Sequence, residues 1–136
     1  MQLYKKILVA IDCSAVDKTI IAHVARLAAQ NSAHVYLLHI VHSHTLDQNR
    51  ALRQKCESMM KSYGKTLQEH GVEFTITIKT GEPEEEILKE IERCDYDLVA
   101  MATHGHGFLA DMLYGSVSDS LKHKINTPLL LLRGRS

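Results

Sequence analysis

Leu98-Val99-Ala100-Met101-Ala102-Thr103-His104-Gly105-His106-Gly107 opens the stretch on which the fold turns, and Gly115-Ser116-Val117-Ser118 closes it. An apolar run enters two closely spaced glycines, and after Ser116 the apolar residues Val117, Leu121 and Ile125 fall at helical spacing. That is a strand feeding a loop feeding a helix. Glycine lets the backbone take positive φ and approach a ligand closely, while the first amides of a helix point outward unpaired and carry partial positive charge. The group that suits such a loop is a phosphate.

Upstream, Ile7-Leu8-Val9-Ala10-Ile11 is a continuous apolar run, as expected of a strand covered on both faces. Ser14 with Asp17 three residues on forms a capping-box pattern, and Ile20, Ile21, Val24, Leu27 and Ala28 give the helix that follows one apolar stripe. His34 to Val41 reads as a second strand. From Leu46 a long helix carries Leu52, Cys56, Met59, Met60, Tyr63 and Leu67 at helical spacing until Gly71 stops it. Val72, Phe74, Ile76 and Ile78 alternate with polar residues, which predicts a third strand with one wet face at a sheet edge. Pro83 among Glu82, Glu84, Glu85 and Glu86 marks a solvated helix start, and Asp95-Tyr96-Asp97 returns the chain to Leu98. Strict alternation without a composition break predicts one α/β domain over residues 1–136, an open parallel sheet with helices on both faces.

A formal net charge of +0, with 16 basic and 16 acidic residues, supplies no field for nucleic acid or anionic lipid. No apolar run approaches the length of a membrane span, and no long apolar segment follows Lys5-Lys6, so the chain reads as cytoplasmic. Cys13, Cys56 and Cys94 are far apart and odd in number, which predicts buried thiols rather than a disulfide frame or a zinc knuckle. For His39, His42 and His44 a metal site is disfavoured: strand alternation turns His39 away from His42, and no carboxylate is interleaved.

Nine residues separate Gly105 from Gly115 (115 − 105 − 1), and a hydroxyl follows at once. In this spacing the chain resembles the universal stress protein family, whose nucleotide-binding members carry Gly-x2-Gly-x9-Gly-Ser/Thr after the fourth strand. Ala102 stands here where the first of those glycines is expected. Lys6-Ile7-Leu8-Val9-Ala10-Ile11-Asp12 and Asn126-Thr127-Pro128-Leu129-Leu130 extend the resemblance over the whole chain. It implies five parallel strands in the order 3-2-1-4-5, a Rossmann-like arrangement of the adenine nucleotide α-hydrolase type. Asp12 and the Ala102–Ser118 loop then share one crevice at the switch point.

The implied ligand is an adenine nucleotide, ATP or else AMP or ADP, with magnesium or manganese held through the phosphates and no metal ligand from the protein. The implied site is Ala10, Asp12, Val41, Ala102, Gly105, Gly115, Ser116, Val117 and Ser118, with Asp12 and the Val41 backbone at the adenosine and the glycine–serine residues at the phosphates. Asp12 and Ser116 each have a plainer reading as caps of the helices they precede. His104 and His106 flank Gly105 and add charge toward phosphate when protonated.

Neither a P-loop ending nor a Gly-x-Gly-x-x-Gly fingerprint is present, and no nucleophile or general base stands out, so the reading is a binding protein rather than an enzyme. Three classes stay open: a stress-response nucleotide-binding regulatory module with slow ATP hydrolysis left open, a nucleotide-free dimeric interaction protein that Ala102 would favour, and an adenylyl transferase. Finally, Leu129-Leu130-Leu131-Leu132 would lie on an edge strand in the implied order, and an apolar edge calls for a homodimer through that last strand.

Overall fold

Residues 3–42, 45–103, 117 and 119–133 are described by the structure, a computed structural model. Lys6–Ala10 forms β1, buried at every position after Lys6. Strands flank it on both edges, and helices cover both of its faces. Strand β2 (His34–Val41) pairs with it in parallel on one side and β4 (Leu98–Thr103) on the other, with Leu8 opposite Tyr36 and Val99. Beyond β2 lies β3 (Phe74–Thr80), and beyond β4 lies β5 (Leu129–Arg133), giving the order β3-β2-β1-β4-β5 that the resemblance implies.

Side-chain alternation divides the sheet between two cores. Ile7, Val9, Val35, Leu37, Ala100 and Ala102 face helices α1 (Asp17–Asn31) and α2 (Leu46–Glu69), meeting Ile20, Val24, Met60 and Leu67. Leu8, Ala10, Leu38, Ile40, Val99 and Met101 face the opposite side, where Ile87 and Ile91 of α3 (Pro83–Arg93) pack together with Val117 and Leu121. Helices therefore cover both faces, as expected.

The helix starts follow local chemistry, with one correction. Thr45 caps α2 by accepting the Gln48 N–H at 3.0 Å, and Glu82 caps α3 by accepting the Glu85 N–H at 2.9 Å, with Pro83 in the first turn. Helix α1, however, starts at Asp17 with no side-chain cap, because the Ser14 hydroxyl turns back to Asp12. Half of the anticipated box survives, as Asp17 accepts the Ser14 N–H at 3.2 Å. Gly71, at φ 72°, closes the turn after α2.

Strand β3 begins at Phe74 rather than Val72, and both of its faces are partly wet, as befits an edge. The glutamates of α3 are more engaged than a solvated face suggests. Glu84 pairs with Lys124 at 2.6 Å and accepts the Ser120 hydroxyl. Buried Glu90 accepts from Tyr96 Oη at 2.6 Å, Arg93 at 2.7 Å and Lys79 Nζ at 3.1 Å.

Candidate functional site

The chain reverses between β1 and β4, and their carboxyl ends lie side by side, Ala10 opposite Met101. Crevices at such switch points are where open α/β sheets take ligands. Ile11 extends β1 by one bond, its N–H donating to Leu38 O at 2.8 Å, and Asp12 follows at the mouth.

A polar lattice holds the turn from Asp12 to Asp17. Asp12 Oδ1 accepts both the Ser14 N–H at 3.1 Å and the Ser14 hydroxyl at 2.6 Å, so Asp12 braces the turn and does not cap α1, which corrects its plainer reading as a helix cap. Asp17 is fully buried and accepts from the Tyr63 hydroxyl at 2.9 Å. Burial first, and the neighbouring Asp12 charge second, push the Asp17 carboxyl up to about 8. The Tyr63 phenol is raised as well, by burial and then by the charge of Asp17.

Between these carboxylates Cys13 adopts φ 59°, a conformation uncommon outside glycine. It is bonded to Cys56 of α2, the Cα atoms 5.7 Å apart, which corrects the expectation of separate thiols. Cys56 and Tyr63 lie on the buried stripe of α2, and together they fasten the β1 turn to that helix. Distance along the sequence concealed the pairing: the two cysteines are 43 residues apart and meet only once α2 packs beside the turn that follows β1.

His39 joins the same cluster. Its Nδ1–H donates to Ile11 O at 2.6 Å, and burial lowers its basicity. The anticipated separation of His39 from His42 holds, since His42 instead donates to Gly81 O at 3.3 Å, while His44 lies outside the described residues. The group that gathers is Cys13, His39 and Cys56, whose ligand atoms all lie within 4.8 Å of one another. No local motif announces it, because its members come from a turn, a strand and a helix.

Of the sequence-derived site, Ala10, Asp12, Val41, Ala102 and Val117 are described, whereas Gly105, Gly115, Ser116 and Ser118 lie outside the described residues, as do His104 and His106. The side chains of Ala10, Val41, Ala102 and Val117 are all buried. The Val41 carbonyl already accepts the Gly81 N–H at 3.1 Å. The Ala102 methyl belongs to the core beneath α1, and that of Ala10 to the core beneath α3.

Residues 3–133 match the universal stress protein family. Universal stress protein MJ0577 of Methanocaldococcus jannaschii is 25% identical over 158 residues, covering 98% of each chain. The solved structure described as a structure-based assignment of the biochemical function of hypothetical protein MJ0577 superposes with a TM-score of 0.83 at 28% identity, covering 98% of this chain and 99% of that one. The universal stress protein of Archaeoglobus fulgidus in complex with dAMP gives 0.72 at 18%, covering 96% and 98%. An Arabidopsis thaliana family protein with AMP bound gives 0.71 at 21%, covering 97% and 93%. With the sequence match running nearly end to end over a sheet of the implied order, the chain belongs to the universal stress protein family.

Proposed function

We propose that this chain is a stress-response module that binds an adenine nucleotide where β1 and β4 end. The observation that carries the reading is the switch point itself: Asp12 stands just past β1, and the Gly105–Ser118 sequence follows directly from β4. Solved relatives hold dAMP, AMP and cAMP, which supports an adenine ligand.

The donor set fits. A carboxylate at Asp12 accepts from ribose hydroxyls, and the Val41 backbone meets the base. Amides of Gly105, Gly115, Ser116 and Val117, with the Ser116 and Ser118 hydroxyls, suit phosphate. Magnesium or manganese would enter on the phosphates of ATP and neutralise their charge.

Calorimetry of the full chain with ATP, with and without magnesium, tests the proposal. Micromolar to millimolar binding is expected, weakened about tenfold or more by Asp12→Ala through loss of a charge-assisted hydrogen bond. No heat at millimolar ATP, together with no adenine nucleotide released from the purified protein on denaturation, would reject it in favour of a nucleotide-free interaction protein. Ala102, where nucleotide-binding members carry glycine, is the feature favouring that second reading.

The active form we propose is a homodimer through β5. Leu131 is 38% exposed on an edge strand, while Leu130 and Leu132 pack inward on the α1 side. A twofold partner would cover that edge. Sedimentation equilibrium is expected to give twice the 15.3 kDa chain mass, and Leu131→Arg to return the monomer.

A further inference from the structure

We propose that Cys13, His39 and Cys56, in the dithiol state, form a binding site for a thiophilic divalent cation of the zinc class. The argument is geometric. The three ligand atoms lie within 4.8 Å of one another, and two ligands about 2.3 Å from a tetrahedral ion stand about 3.8 Å apart. Once the Cys13–Cys56 bond is broken, side-chain rotation that parts the two sulfurs and draws in the imidazole closes a coordination sphere around one ion. Two sulfurs and an imidazole are the donor types that zinc selects, and carboxylate-rich cation sites look quite different.

The imidazole is already oriented. Its Nδ1–H is committed to the Ile11 carbonyl at 2.6 Å, which leaves Nε2 as the nitrogen with a lone pair. A backbone carbonyl fixing the tautomer in this manner is the usual support of a metal-bound histidine. Each ligand comes from a firmly held element. Cys56 is fully buried on α2, His39 lies within β2, and Cys13 sits in the turn bonded by Asp12 and Asp17. Three protein ligands leave a fourth position for water or a small ligand.

The disulfide and the metal exclude one another. A dithiol reductant breaks the Cys13–Cys56 bond, giving two electrons and two protons to the sulfurs and itself becoming a disulfide. The cation then displaces one proton from each thiol, while neutral His39 contributes its lone pair without proton exchange. Compartments that keep thiols reduced favour the form that binds. The reading does not depend on nucleotide binding.

Cobalt(II), with zinc as competitor, is the probe, added to the full chain in reduced and in oxidised form. Reduced wild type is expected to take up one equivalent of cobalt(II) with a thiolate-to-cobalt charge-transfer band that zinc abolishes, and the oxidised form to show none. Removing a supporting group around a metal costs about 10–100-fold in affinity, so loss of a sulfur in Cys13→Ser or Cys56→Ser should cost about 100-fold or more. His39→Gln should cost about tenfold or more. Absence of the band in reduced wild type at tenfold excess cobalt(II) overturns the site, as does equal uptake by the oxidised form or wild-type affinity in both serine variants. Should a variant fail to fold by circular dichroism, the two states of the wild-type chain decide the question.

Discussion

Tyr63 donates its phenolic hydrogen to Asp17 Oδ2 at 2.9 Å, joining the buried stripe of α2 to the first turn of α1. In the unfolded chain an aspartate loses its proton near 3.8, whereas buried Asp17 keeps it up to about 8. Between those values the native state binds more protons, so stability falls as pH rises, by at most about 1.4 kcal/mol per pH unit. Asp17→Asn removes the titration. Urea unfolding at about pH 5.5 and about pH 7.5 should show wild type losing stability that the variant keeps.

Glu90 behaves in the opposite sense. Burial alone would raise its pKa, yet the hydrogen bonds from Tyr96 and Lys79 outweigh burial and bring it down to about 2. Its contribution is therefore present above about 4.5, the unfolded value, and is lost as pH falls towards 2. Glu90→Gln leaves Lys79 without its carboxylate and should cost about 3 kcal/mol at neutral pH, with a flatter acid limb in the denaturation profile.

Gly64 lies within α2 against the ring of Phe74, and a Cβ there would stand 2.5 Å from Phe74 Cζ. Alanine gains about 1 kcal/mol of helix propensity but forces the ring aside at about 1–3 kcal/mol. Because Phe74 is only half buried on an edge strand, the net loss for Gly64→Ala should be about 1 kcal/mol. Adding Phe74→Leu should recover part of it, which thermal unfolding of the four proteins in the cycle would reveal.

At Ala102 the expected effects separate. The methyl is 4% exposed and sits in the core beneath α1, so Ala102→Gly should cost about 1 kcal/mol through lost burial and a freer unfolded chain. If the methyl crowds the nucleotide, affinity rises despite that loss. A methyl turned wholly into the core should instead leave Kd within about threefold, less than 0.7 kcal/mol. Calorimetry beside denaturant unfolding distinguishes the two.

What the sequence made legible was whatever is local or periodic. The apolar run Ile7–Ile11 announced a strand covered on both faces, and it is β1 at the centre of the sheet. Alternation from Val72 placed β3 at an edge, though the strand itself starts at Phe74, and Pro83 marked the start of α3. Strand order came from family resemblance, because alternation of strands and helices admits several windings. Asp12 was legible by position, but its bonds to Ser14 depend on turn geometry. The Cys13–Cys56 pair was misread because its formation depends on how α2 crosses the sheet, a tertiary relation with no trace in cysteine spacing.

The position of β1 at the sheet's centre also sets a timetable for synthesis. Its first partner, β2, follows one helix later, but the partner on its other side ends only at Thr103. A nascent chain that has just completed β3 at Thr80 already has β1, β2 and β3 with α1 and α2 on one face. The opposite face, with Leu8, Ala10, Leu38 and Ile40, must await α3. The edge of β1 likewise stays open for β4. At about 5–20 residues per second, the 23 residues from Thr80 to Thr103 (103 − 80) take roughly 1–5 s to emerge. For that interval the growing chain presents the kind of apolar surface that holdase chaperones bind, and a ribosome stalled there would hold a half-sheet prone to self-association.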